Sequence, residues 1–236
     1  MTTFILIHGA WMGSWVWRDI IPLLLAKGHK IITPDLPGLG DDQTLLKDIN
    51  LDLYISRLST LINEQKTRVI LVGHSMAGMV ISALGELMPE KIHSLIYLCA
   101  FLPQDGESLL DIVNASVNPH MQFDFSLHYN VCDIRSDLIN NALFNCCSHQ
   151  DIVFARPLMR TQATNIFSSK CFLTQEKFGS IPKTYIKCNK DNAITLEMQN
   201  KMITHQFVDY IYSIDTDHCP FFLSTRELAK ILLLTS

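Results

Sequence analysis

A chain of 236 residues with 48% hydrophobic and 18% charged residues can bury a full α/β core and is too apolar to stay disordered. Its 19 Lys+Arg against 23 Asp+Glu leave a net charge of −4 with no basic run, so nothing attracts a phosphate backbone and nucleic acid is excluded as a partner. No apolar stretch reaches the roughly 18 residues of a membrane span, and Phe4-Ile5-Leu6-Ile7 opens as a strand rather than as a leader, so the expectation is a cytoplasmic chain with no membrane partner.

The elements alternate from the start. Phe4–Ile7 reads as a strand, Ser14–Ala26 as a helix stopped by Gly28, Lys30–Thr33 as a strand, and 50–65 as a helix. Arg68–Val72 is the next strand, Met76–Leu87 a helix ended by Pro89, and Ile92–Leu98 a strand. Runs such as Val69-Ile70-Leu71-Val72 are apolar on both faces, as a parallel strand covered by helices must be. The stretch 103–178 breaks this rhythm, with short helical patterns and no clear buried strand, and reads as an inserted, mainly helical lid. Alternation then resumes with Thr184–Cys188, a helix over 194–204, Val208–Ile214 and a last helix over Pro220–Leu234. Six strands with interleaved helices predict one domain over 1–236, a doubly wound, mostly parallel sheet interrupted by that lid.

The chemical signal is Gly73-His74-Ser75-Met76-Ala77-Gly78, set between an apolar strand and a helix. A nucleophile on a sharp strand-to-helix turn needs small residues two positions away on either side, because strand and helix approach closely there. Ser75 meets that requirement. A serine hydroxyl also needs a base, and the base needs a partner to hold it. Of nine histidines, His218 alone follows the last predicted strand, at the same carboxyl edge of the sheet as Ser75. His8 and His74 sit in the loops beside the site and read as loop braces.

The orienting acid belongs after the preceding strand, which makes Asp191 the candidate and gives the order Ser75, Asp191, His218. Asp215 and Asp217 are rivals by proximity. Asp217 is adjacent to the histidine and cannot easily reach its ring, so Asp217→Asn is expected to cost little. Backbone N–H groups of Met76, after the nucleophile, and of Ala10, in the loop after the first strand, are the expected oxyanion hole. Trp11 is a candidate pocket residue, whereas Trp15 and Trp17 read as packing between helix and sheet.

Competing chemistries are poorly served. Gly38-Leu39-Gly40 is a fragment of a phosphate loop with Asp41-Asp42 behind it, which would repel an anion. Asp215, Asp217 and His218 crowd into one loop and make a poor metal site. The seven cysteines include no C-x-x-C pair and read as reduced core fillers.

The set HGAW, DLPGLG at Asp35–Gly40, GHSMAG and the Asp191 and His218 loops resembles the α/β-hydrolase superfamily, covering nearly the whole chain outside the lid. More narrowly it looks like the group of plant hydroxynitrile lyases, plant methylesterases that bind salicylate and small bacterial esterases. The resemblance implies a Ser75-Asp191-His218 triad with no metal and no organic cofactor. It also implies that a lyase would carry a threonine where this chain has Gly9 and a lysine where it has Cys219.

The reading is therefore a serine esterase acting on small, largely apolar carboxylic esters, with the sequence leaving room for a homodimer. Gly9, Trp11, Phe123, Phe125, Leu127, Tyr129 and Phe144 are the candidate pocket residues. A carbon–carbon lyase and a slow-turnover binding protein are the alternatives.

Overall fold

The computed structural model describes residues 2–115, 123–126 and 130–235. β1 (Thr3–Ile7) leads through a 3-10 turn, Ser14–Trp17, and α1 (Ile21–Leu25) to β2 (Lys30–Ile32). The single helix expected over 14–26 is thus two short pieces. Pro22 has no N–H to donate, and its ring crowds the carbonyl four residues back, so a continuous helix cannot pass through it. At the second position of α1 the same residue is tolerated. Next come α2 (Leu51–Asn63), β3 (Val69–His74), α3 (Ala77–Leu87) and β4 (Ile92–Leu98). Asn50 opens α2 by accepting the Leu53 N–H at 2.8 Å, one of the donors a helix start would otherwise leave unpaired.

Between β4 and Lys183 lie, in order, β5 (Glu107–Ser108), α4 (Leu109–Asn114), β6 (Phe123–Ser126), β7 (Val131–Ile134), α5 (Ile139–Leu143) and α6 (His149–Ala155), then β8 (Gln162–Ala163), α7 (Asn165–Ser168) and β9 (Lys170–Cys171). Capping boxes, Ser108 with Asp111 and Ser148 with Asp151, start α4 and α6. The insertion also holds β-structure that its sequence does not announce: β6-β7-β8 form one antiparallel sheet and β5-β9 another. Strands of two to four residues are too short to leave a period-two pattern. The chain then adds β10 (Lys183–Cys188), α8 (Leu196–His205), β11 (Tyr210–Ile214), α9 (Pro220–Leu223) and α10 (Thr225–Leu234). Ser224 separates α9 from α10, where one helix was expected.

All six strands expected from the sequence enter one parallel sheet, in the order β11-β10-β4-β3-β1-β2. Phe4 to Ile7 of β1 and Val69 to Val72 of β3 are fully buried on both faces, each large side chain contributing on the order of 1.5–3 kcal/mol by leaving water. The register aligns the strand ends: Ile7 lies opposite Gly73, His74 opposite Leu98, Leu98 opposite Ile186, and Cys188 opposite Ile214. The loops that begin at residues 8, 75, 99, 189 and 215 therefore share one carboxyl edge. The strand order reverses between β1 and β3, and that is where a parallel sheet opens a crevice.

Candidate active site

Ser75 sits on the turn from β3 into α3 with φ 55°, a left-handed conformation that costs a non-glycine residue about 1–3 kcal/mol. Three backbone bonds hold it there. Its N–H donates to Leu98 O at 3.2 Å, and its carbonyl accepts from Gly78 N at 3.0 Å and Phe101 N at 3.1 Å. Gly73 is required because a Cβ there would lie 2.8 Å from the Ala77 carbonyl. Gly9 is required for a second close approach, since its Cβ would lie 2.9 Å from both His74 Nδ1 and Ser75 Cβ. The loop after β1 thus lies directly against the serine turn.

His218 Nδ1 stands 2.7 Å from Asp191 Oδ2, both residues buried. The other oxygen, Asp191 Oδ1, accepts the N–H groups of Ala193 at 2.7 Å and Ile194 at 2.8 Å. This carboxylate is fixed at both ends. The rival acids are committed elsewhere: Asp215 is exposed and pairs with Lys190 at 2.6 Å, while Asp217 accepts from Cys219 N at 3.0 Å and Cys146 N at 2.8 Å. Among the described residues no protein acceptor is hydrogen-bonded to the N–H of Ala10 or of Met76, though both residues are buried. Buried N–H groups are rarely left unpaired, so these two are available to an oxygen that enters the site.

The profile described as "Alpha/beta hydrolase family" matches residues 4–231. This chain belongs to that family. Methylesterase 1 of Arabidopsis thaliana is 30% identical over 249 residues, 98% of this chain and 94% of the relative. Salicylic acid-binding protein 2 of Nicotiana tabacum is 30% identical over 247 residues, 98% of this chain and 95% of the relative. The crystal structure of polyneuridine aldehyde esterase superposes with a TM-score of 0.89 at 27% identity, covering 99% of this chain and 98% of that one. A chloroplastic Arabidopsis thaliana relative, 31% identical, is longer, and the chain spans 63% of it.

Two further histidines of this family member brace the site rather than titrate in it. Leu36 N–H donates to His8 Nε2 at 3.0 Å, so the ring proton is on Nδ1, which donates to Gly9 O at 2.8 Å. His74 Nε2 donates to the His218 carbonyl at 2.8 Å. Cys99 Sγ approaches the same carbonyl at 3.6 Å, so His74 and Cys99 share one acceptor oxygen.

Burial pushes His8 down to about 4 and His74 well below the usual histidine range. A histidine that is neutral when folded, but titrates near 6.5 when unfolded, leaves stability untouched above that pH. Below it the unfolded chain takes up the proton first, so stability falls as the pH drops from 6.5 toward 4. For His8 alone the loss is roughly 3 kcal/mol by pH 4. The melting temperature should accordingly decline between pH 6.5 and 4.5, and a flat profile would contradict the neutral assignment.

Of the candidate pocket residues, Trp11 is buried in the loop after β1, with φ 62°, and its Nε1 donates to Cys132 O at 2.9 Å. That bond ties the loop to the insertion. Phe144 is buried at the end of α5. Phe123 and Phe125 lie on β6, while Leu127 and Tyr129 lie outside the described residues. Trp17 packs edge-on against Phe221 of α9, with ring centroids 5.5 Å apart. Among the described residues no helix is long and apolar enough to cross a membrane.

The sequence missed the links between the insertion and the site loops, such as Asn145 Nδ2 to Lys190 O at 3.0 Å. They join positions far apart in the chain, and no local pattern encodes them.

Proposed function

We propose that this chain is a carboxylic ester hydrolase that works through Ser75, His218 and Asp191. The observation that carries the reading is the 2.7 Å contact of His218 Nδ1 with Asp191 Oδ2, on the same sheet edge as a serine held at φ 55°. The names of the relatives, a methylesterase among them, support it. Ser75 Oγ attacks the ester carbonyl while His218 Nε2 accepts its proton, and the Ala10 and Met76 N–H groups hold the oxyanion. The alcohol leaves with that proton, and water then hydrolyses the acyl-enzyme by the same route. The segment 103–178 serves as the cap of a single domain, and the substrates are small, largely apolar carboxylic esters. The compartment we assign is the cytoplasm, supported by seven free thiols.

The lyase alternative fails on chemistry. A threonine at position 9 would bring a Cβ against His74 and Ser75. Departing cyanide needs a cation beside it, and Cys219 is a buried thiol that burial pushes well above its usual pKa, so it stays neutral. Hydrolysis of p-nitrophenyl acetate should be measurable, and mandelonitrile should be cleaved no faster than background. Cyanide release that depends on Ser75 and His218 would overturn the assignment. A relative named a salicylic acid-binding protein makes slow-turnover binding the second reading, and absence of ester turnover would favour it.

A further inference from the structure

The insertion reaches back to both loops that carry the acid and the base. Asn145 Nδ2 donates to the carbonyl of Lys190, the residue before Asp191, at 3.0 Å. Asn192, the residue after Asp191, donates through Nδ2 to the Asn141 carbonyl at 2.9 Å. Cys146 N–H donates to Oδ2 of Asp217, the residue before His218, at 2.8 Å. Asp217 is fully buried, and its remaining oxygen accepts the N–H of Cys219, the residue after His218, at 3.0 Å. One carboxylate thus bridges the two peptide flanks of His218 and fastens them to the insertion.

A buried carboxylate is costly to desolvate, and here two backbone N–H groups compensate it, each on its own oxygen. The arrangement constrains rotation of the 217–219 turn, and with it the direction in which the His218 ring emerges. We propose that Asp217 is a positioning residue for His218, and that residues 141–146 of the insertion clamp the acid and base loops into one geometry. This rests on the ester-hydrolase reading above. It also replaces the expectation that Asp217→Asn costs little. An amide offers one acceptor oxygen in place of two, so one of the two buried N–H groups would face an NH2 group.

Misplacement of a catalytic group by an ångström is worth up to about 10²-fold in rate. Asp217→Asn should therefore fold, keep KM within about twofold, and lower kcat for p-nitrophenyl acetate by about tenfold or more. The saturating rate of Ser75 labelling by a fluorophosphonate, which depends on the base and not on ester binding, should fall by the same factor. Asn145→Ala, at an exposed position, should lower kcat and labelling severalfold in the same pattern. A folded Asp217→Asn protein with wild-type kcat and labelling rate, or with its loss confined to KM, would overturn the proposal. If Asp217→Asn does not fold, Asn145→Ala decides, and unchanged kcat and labelling there overturn it. Absence of ester turnover in the unmodified chain would count against the ester-hydrolase reading instead, and the labelling rates would still test the clamp.

Discussion

Ser75→Ala should lower ester turnover by about three orders of magnitude or more while the protein remains folded. The substitution removes one oxygen atom, and the three backbone hydrogen bonds that fix residue 75 involve only its N–H and carbonyl. The turn therefore keeps its shape. The Ala10 and Met76 N–H groups survive too, so the residual rate should stay above that of the uncatalysed reaction. The measurement is kcat for p-nitrophenyl acetate beside a thermal unfolding curve, with fluorophosphonate labelling as a second readout. Near-wild-type turnover, or labelling at another serine, would remove Ser75 from the nucleophile's role.

The parts of this molecule written in local pattern were legible in the sequence. Val69 to Val72 are apolar without alternation, and β3 is buried on both faces. Gly73, Ser75 and Ala77 have the spacing that a tight turn needs, and the contact a Cβ at Gly73 would make with the Ala77 carbonyl explains it. Strand order alone puts His218 and Asp191 at the Ser75 edge. Where an element depends on an interruption, the reading was coarser, as in the helix over 14–26 that Pro22 divides. Where a structure depends on partners distant in the chain, it was blind. The β6-β7-β8 sheet is made of short pieces brought together from positions 123 to 163, and the bond from Cys146 to Asp217 crosses 71 positions. Neither leaves a periodic trace.

Asp191→Asn should be the most damaging conservative change, lowering kcat by a factor on the order of 10⁴. The hydrogen bonds around the carboxylate dictate how the amide must sit. Oδ1 faces two N–H donors, from Ala193 and Ile194, so the amide oxygen takes that place. The NH2 group is then left 2.7 Å from His218 Nδ1, where Oδ2 had been. An NH2 group only donates, so Nδ1 must become the acceptor and the ring proton must move to Nε2. In the proposed mechanism that nitrogen accepts the proton of Ser75, and in this tautomer it cannot. The lesion is one of proton placement, so KM and the unfolding curve should change far less than kcat. Asp215→Asn gives the contrast, because that carboxylate is exposed and pairs with Lys190, and turnover should stay close to wild type. Asp217→Asn should fall between the two. If Asp191→Asn kept kcat within tenfold of wild type while a change at 215 or 217 cost 10³-fold or more, the acid that holds His218 would have to be sought in its own loop.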